Sequence, residues 1–598
     1  MGVLGPIGSE TRLRIVEAVR ASNLGLQGDE IDFSPPRYWS LLEMLMHRAE
    51  ELPDSPYLVF CDDDQGLRES LTYREVVERV KRVAAVMKNA LQLGPGDVLA
   101  VADLHNHPDT VVVMFAAWAL GVIVVPINMR EDRRRQQHIL RHSGARVVFA
   151  RDRQDLGALD NYLKRMTALA GDLGISHVVQ MGGTERRAAH WLDELEAQTE
   201  DEFAEIFPID TEALLVYTAG VTGPPKGVVL SHTLLYAVRA LTTSMQLERE
   251  DVLLCTLPLF HINAIVSGVL AAAHLGATVV LNRRFNPATF LERVEDEGIT
   301  ATSVVPAMLA GVCSHVESEG IKPRRDYPAA LETLDKIFCS GGQLFPAVAR
   351  EVYGLLGLRV LHGWGMTETS CWGAMTPTDL SADEYQKLIL DARFPAVGGP
   401  GGSLRMGVID PQTGEPLGPG QVGEMVAAGP GLMKGYYRNA VANERAYKYG
   451  VLQTGDEGYF ENLTRPDGTS LTMFYIIGRF KEVIERGGEK YSAIEIDADI
   501  LRMPVVEDAL AFGFRHNVYG QEVGAVITLK EGAEIDERAL WRHFMTLGYS
   551  WNKTPKVLRL VDEIPPAETS KDRRRKVMHL FKNLDDEVFG RPDFWKKK

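Results

Sequence analysis

The chain has 598 residues, with 65 Lys plus Arg against 81 Asp plus Glu for a net charge of −16, and at roughly 150 residues per domain it holds several structural units. This acidic balance argues against a nucleic-acid partner, because such affinity rests on neutralising phosphates. With 45% apolar and 24% charged residues, the composition is that of a soluble globular protein and excludes wholesale disorder.

In chain order, residues 1–37 are polar and Pro-punctuated and read as a lead-in. Met1 to Arg14 carries no apolar run of the kind a secretory signal needs, and Pro6 stands where a myristoylation motif requires Ser or Thr. Helical patterns at Leu41 to Leu52 and Thr72 to Leu91 then alternate with strand-like Val98 to Val101 and Arg146 to Phe149, a rhythm that predicts parallel sheet layered with helices. The apolar run Val111 to Val125 stops at Pro126, short of the roughly 20 residues of a membrane helix. It reads instead as a buried helix from Asp109 to Leu120, a stop at Gly121 and a buried strand from Val122 to Val125. The rhythm returns in strand Ala213 to Tyr217, helix Leu234 to Met245, strand Asp251 to Thr256, helix Ile265 to His274 and strand Thr278 to Leu281.

From about 396 to 478, Gly- and Pro-rich turns separate short strands, which predicts a β-barrel-like subdomain. Beyond it, strands Ala509 to Phe514 and Glu522 to Leu529 and helix Glu537 to Leu547 predict a compact α+β unit. The expected organisation is a large α/β domain over 38–478 and a small mobile domain over 479–598. The five cysteines, Cys61, Cys255, Cys313, Cys339 and Cys371, are scattered and never spaced C-x-x-C, so a reducing cytosol is expected. The basic stretches Arg133 to Arg135 and Lys596 to Lys598 read as solvated surface.

The strongest local signal runs from Tyr217 to Gly227 as YTAGVTGPPKG. Glycines let backbone N–H groups approach oxyanions, Thr218 and Thr222 can donate hydrogen bonds, and Lys226 supplies positive charge. These features point to bound phosphate. Pro225 precedes the lysine and the strand-like Val228 to Leu230 follows it, which sets the loop apart from a Walker A motif. Gly418 to Gly423 matches G-x-G-x-x-G, yet a turn precedes it and a strand follows, so it reads as a β-turn rather than a dinucleotide site.

This loop resembles the phosphate-binding motif of the AMP-forming adenylating superfamily of acyl-CoA synthetases, aryl-CoA ligases and luciferase. The likeness continues in order along roughly residues 38–585. Gly363 to Glu368 (GWGMTE) is similar to the family's second core motif, Gln453 to Asp456 (QTGD) to its ribose motif, Gly478 to Glu482 with Arg486 to Glu489 to its hinge, and Pro565 to Arg574 to its C-terminal lysine motif. Leu257 to His261 and Ser340 to Gly342 fall where the family places acyl-pocket and adenine-contacting segments.

The resemblance implies that a carboxylate attacks the α-phosphate of ATP, releasing pyrophosphate, and that the acyl-adenylate passes to CoA. Thr218, Ala219, Gly220, Thr222, Gly223 and Lys226 would surround the β- and γ-phosphates. Thr367 would hold the α-phosphate, Met366 would lie beside it, and Glu368 would hold Mg²⁺. Gly341, Gly342, Trp364 and Gly365 would line the adenine, with Trp364 flat against it, and Asp456 and Arg479 would take the ribose. Lys571 would bridge the carboxylate and the α-phosphate. Lys481 would be the hinge, and Gly487 and Gly488 would let the pantetheine arm pass.

His261, Ile262, Asn263, Ile265 and Gly365 would shape the acyl pocket, where Gly365 replaces a second tryptophan of acetate-specific members and so leaves room for a larger acid. Two departures stand out: Ala219 takes the place of a usual Ser and Ser570 that of a usual Gly. The implied protein is a cytoplasmic AMP-forming acid-CoA ligase, monomer or homodimer, with ATP, Mg²⁺ and CoA and no membrane segment. The alternative keeps the adenylation and changes the acceptor to an amine, a carrier-protein thiol or an oxyanion activated for N–N bond formation.

Overall fold

The structure, a computed structural model, describes residues 26–27, 37–131, 133–151, 162–182, 190–199, 201–218, 225–480, 483–486, 489–517, 519–564 and 570–581, with 584, 592 and 594. Helix Tyr73–Asn89 illustrates how the sequence sets the local structure. Thr72 and Glu75 close a capping box at its N-terminus, satisfying N–H groups that a helix start leaves without partners. Val76, Val80, Val83 and Met87, spaced three or four apart, are all fully buried. Helix Pro108–Trp118 gives way to Gly121 at φ +64°, and a Cβ there would meet Phe207 Cε1 at 2.7 Å, so glycine is required on both counts.

Among the described residues, eight strands form one sheet in the order Gly435–Tyr436, Lys226–Ser231, Glu212–Thr218, Ile123–Pro126, Val98–Ala102, Val147–Arg151, His177–Met181 and His190–Trp191. A second sheet of nine runs Gly399–Pro400, Ala374–Met375, Val360–Trp364, Lys336–Cys339, Ala301–Val304, Val252–Cys255, Thr278–Asn282, Pro56–Asp62 and Leu67–Thr72. Both are parallel inside; the nine-stranded sheet has antiparallel strands at both edges and the eight-stranded sheet at one, its other edge strand His190–Trp191 being parallel. The parallel strands are buried on both faces, which is why they read as unbroken apolar runs.

Where the sequence predicts a β-rich subdomain, Arg405–Ile409, Gly423–Ala428, Leu452–Thr464 and Ser470–Arg479 form a four-stranded antiparallel sheet. The smaller C-terminal part holds a separate five-stranded sheet with its own core around Ile484, Ile496, Val523 and Phe544. The segment expected as one α-helix from Ile265 to His274 is a π-helix over Ala264–Leu270 continuing as an α-helix over Ala271–Leu275. All five cysteines are unpaired and buried, and among the described residues no helix is long and apolar enough to cross a membrane.

Two buried histidines give the fold a pH signature. Burial holds His232 down to about 3 and His362 down to about 4. His232 Nδ1 accepts the Leu41 N–H at 3.3 Å, and protonation would abolish that bond. An unfolded histidine titrates near ~6.5, so below that pH the unfolded chain takes up protons that the folded chain refuses, and each histidine removes about 1.4 kcal/mol of stability per pH unit. This contribution is complete above pH ~6.5 and is lost as the pH falls toward ~4. Denaturant midpoints measured at pH 7, 6 and 5 should therefore decline progressively; a flat series would contradict the buried neutral state.

Candidate active site

Four neighbouring parallel strands, Val252–Cys255, Ala301–Val304, Lys336–Cys339 and Val360–Trp364, run side by side. Their carboxyl ends lead into Leu257 to Asn263, Val305, Ser340 to Gly342 and Gly365 to Glu368. In open α/β sheets the crevice outside the strands' carboxyl ends is where ligands bind. Segments far apart in sequence thus converge on one edge.

At the first of these ends, Asn263 Nδ2 donates to Ser340 Oγ at 3.3 Å, and Asn263 Oδ1 accepts from Ser303 Oγ at 2.9 Å. The amide ties two neighbouring strand ends together. Half-buried His261 packs its ring 4.7 Å from that of Phe260. Ile262 is 7% exposed, whereas Ile265 is 0% exposed and sits inside the main core. Ile265 is therefore corrected from a pocket-lining residue to one that supports the wall from behind. Gly341 is exposed with φ +77° and Gly342 is half-buried beside Pro306.

The strands that flank the phosphate-type loop, Glu212–Thr218 and Lys226–Ser231, are antiparallel and pair Thr218 with Lys226. Ala219, Gly220, Thr222 and Gly223 lie outside the described residues. Lys226 Nζ stands 3.7 Å from the centroid of the Tyr436 ring, and the Tyr436 hydroxyl donates to Glu368 Oε1 at 2.8 Å. Glu368 is 5% exposed and lies in a short 3₁₀ turn, Thr367–Thr369, whose half-buried Thr367 is its first residue. Met366, also half-buried, closes the turn by donating its N–H to Thr369 Oγ1 at 3.0 Å. One side chain, Tyr436, thus joins the edge of the first sheet to the end of the second.

The third sheet enters through Asp456, 1% exposed. Its carboxylate accepts the Trp364 indole N–H at 2.7 Å and a hydrogen bond from Arg479 Nε. Asp456 and Arg479 are cross-strand partners at the end of the ladder, and the next residue, Phe480, donates its N–H to Gly455 O at 2.9 Å. Trp364 is 7% exposed, and its observed polar partner is the carboxylate expected to serve the ribose. An ionised carboxylate offers about four acceptor positions, so the two donors leave acceptor capacity for a diol.

Gly365, expected to leave space for an acyl group, has that space filled by backbone. A Cβ built there would lie 1.6 Å from Cys371 O and 2.9 Å from Trp372 Cα. Gly365 is obligatory here because the chain doubles back over it. The doubling-back places Ser370 at φ 56° and Cys371 at φ 102°, a conformation that costs non-glycine residues of the order of 1–3 kcal/mol each and collects at functional sites. Trp372 Nε1 then donates to Ser267 Oγ at 2.8 Å, linking this loop to the π-helix that follows His261.

Among the described residues, no three His, Cys, Asp or Glu side chains gather into a metal cage. A Mg²⁺ ion fits this donor set through one carboxylate, with phosphate and water oxygens completing its octahedron. In the C-terminal part, helix Ser570–Val577 carries Lys571 in its first turn. Arg574 fastens it by donating to Ala511 O at 2.9 Å and pairing with Asp497, while Arg573 pairs with Asp508. Lys481, Gly487 and Gly488 fall outside the described residues. Sequence reasoning missed Tyr436, whose only signal is an aromatic pair, Tyr436-Tyr437, after a glycine-rich stretch.

The profile of the AMP-binding enzyme family matches residues 45–437. The chain belongs to the AMP-binding enzymes. Among curated members it is 32% identical to the sulfoacetate–CoA ligase of Cupriavidus necator, over 91% of this chain and 98% of that one. It is 29% identical to a feruloyl-CoA synthase of Amycolatopsis, over 86% and 94%. The crystal structure of ATP-bound MatB from Rhodopseudomonas palustris superposes with a TM-score of 0.74 at 23% identity, covering 90% of this chain and all of that one. This AMP-binding enzyme therefore shares its fold with MatB, a large N-terminal part followed by a smaller C-terminal one.

Proposed function

We propose that this AMP-binding enzyme is an AMP-forming acid-CoA ligase acting on a carboxylic acid larger than acetate. The observation that carries the reading is the run of contacts that joins three sheets, from Lys226 through Tyr436 to Glu368 and from Trp364 to Asp456. The relatives named for sulfoacetate and feruloyl thioesters support both CoA as acceptor and an acid larger than acetate.

In the first half-reaction a carboxylate oxygen of the acid bonds to the α-phosphorus of ATP, and the bond from that phosphorus to the bridging oxygen breaks, releasing pyrophosphate. In the second, the CoA thiol loses its proton and bonds to the acyl carbon, and AMP departs with the electron pair of the mixed anhydride. The chain's part in the first is to neutralise and orient charge. Thr367 would donate to the α-phosphate, while Lys226 with Thr218, Thr222 and the backbone of 219–223 would hold the outer phosphates. Asp456 and Arg479 would fix the ribose, and Trp364 would border the adenine beside them. Gly341, Gly342 and Met366 would form the adjoining backbone wall.

Glu368 would hold Mg²⁺, which supplies charge neutralisation to the phosphate oxygens. Lys571 would close the site from the C-terminal part as a point charge on a flexible stem. His261, Ile262 and Asn263 would border the acid. We place the division between the two parts at 478/479, one residue before strand Ser470–Arg479 ends, and the next strands pair within the C-terminal sheet. That part would turn about Lys481, and Gly487 and Gly488 would admit the pantetheine arm. The five buried free thiols fit a cytoplasmic setting. Acid-dependent exchange of labelled pyrophosphate into ATP tests the adenylation. Exchange should appear with one class of acid; its absence across aromatic, medium-chain and dicarboxylic acids would overturn the reading.

A further inference from the structure

Tyr436 is held at its backbone more tightly than packing alone demands. It pairs with Val228 across a two-residue strand, its N–H donates to Asn443 Oδ1 at 2.7 Å, and its carbonyl accepts from Asn443 Nδ2 at 3.0 Å. Its neighbours join the same network: Met433 donates its N–H to Glu368 O at 2.8 Å, and Tyr437 donates to Gly227 O at 2.7 Å. Between those anchors the side chain meets two groups of opposite charge, the Lys226 ammonium at its face and the Glu368 carboxylate at its hydroxyl. A tyrosine that only filled space would need neither.

We propose that Tyr436 is a positioning residue that holds the Glu368 carboxylate for the metal and the Lys226 ammonium for the phosphates, so that one side chain couples the two. This rests on the function proposed above. The hydroxyl engages one carboxylate oxygen and leaves the other for a cation, fixing the rotamer of a side chain that would otherwise have to be ordered when Mg·ATP arrives. The ring face attracts the ammonium and holds it 3.7 Å from the ring centroid.

The test is calorimetric titration of the full chain with ATP, without any acid, once in excess Mg²⁺ and once in EDTA. Tyr436→Phe keeps the ring and removes the hydroxyl, so it should weaken ATP binding in Mg²⁺ by about tenfold and leave binding in EDTA unchanged. Tyr436→Leu removes the ring as well and should weaken both. In a Glu368→Gln background Tyr436→Phe should have no further effect. Equal loss in Mg²⁺ and EDTA for Tyr436→Phe would make the residue structural and overturn the proposal, as would wild-type affinity in both. Should the Phe variant fail to fold, Asn443→Ala, which frees the Tyr436 backbone and so loosens ring and hydroxyl together, must weaken ATP binding in both conditions and more in Mg²⁺ than in EDTA, or the proposal falls. A wild-type chain that binds ATP without any response to Mg²⁺ would instead overturn the assignment of Glu368.

Discussion

Lys571→Ala should slow acyl-adenylate formation by about 10²- to 10³-fold, the usual cost of removing one preorganised charge stabiliser from a transition state, while ATP still binds. The reason lies in where charge develops. The incoming carboxylate and the α-phosphate are both negative, and Lys226 is placed among the residues that would face the outer phosphates. In the proposed arrangement the cation at the point of attack is Lys571 of the C-terminal part. The helix that carries Lys571 is fixed to the C-terminal sheet and its neighbouring helix through Arg573 to Asp508 and Arg574 to Asp497, so in the proposed arrangement the lysine would move with that part as a unit. Thioester formation from supplied acyl-adenylate should be far less affected. Rapid-quench measurement of the two half-reactions separates them, and wild-type adenylation in the variant would remove Lys571 from its role.

Glu522→Ala should cost the C-terminal part about 3–5 kcal/mol, because it strands two buried cations. Arg486 Nε donates to Glu522 Oε1 at 2.6 Å, and Lys556 Nζ lies 3.3 Å from the same oxygen. Lys556 is 0% exposed at its side chain and Glu522 2%. Burial pulls the Lys556 ammonium down to about 8, a measure of how unfavourable charge is there. Lys556→Met should be much milder, since Arg486 still pairs with Glu522 and Met fills the space with apolar surface. Hydrogen exchange along strand Gly520–Leu529 reads the difference directly. Equal protection in the two variants would show that the ion pair does not hold this sheet. Arg486 immediately precedes Gly487 and Gly488, so Glu522→Ala should also slow the CoA step more than adenylation.

The parallel sheets were legible because strands buried on both faces must be apolar throughout; Val98–Ala102 and Ile123–Pro126 are such runs. The segment between strands Glu212–Thr218 and Lys226–Ser231 stands out in the sequence for a different reason, since glycines, hydroxyls and a lysine together have few structural uses. What could not be read was whatever depends on distant segments meeting. Tyr436 lies 210 positions from Lys226 and 68 from Glu368, in a strand of two residues with no periodicity to show. Gly365 was noticed, but only the structure shows the Cys371 carbonyl lying where a side chain would go. Ile265 is 0% exposed within a helix whose residues are all buried, which its apolar character alone does not separate from a pocket wall. Asn263 was identified as polar, and only the strand order shows that Ser303 and Ser340 already engage its amide.

That one site both adenylates an acid and passes the acyl group to CoA is tested most directly by AMP release from ATP. The release is measured across a panel of aromatic, medium-chain and dicarboxylic acids, with and without CoA, and the thioester product is identified by mass. The expected result is saturable, CoA-dependent AMP formation matched by an equal amount of acyl-CoA for one class of acid. Adenylation that proceeds with no response to CoA would contradict it and would direct the search for the acceptor to an amine, a carrier-protein thiol or an oxyanion.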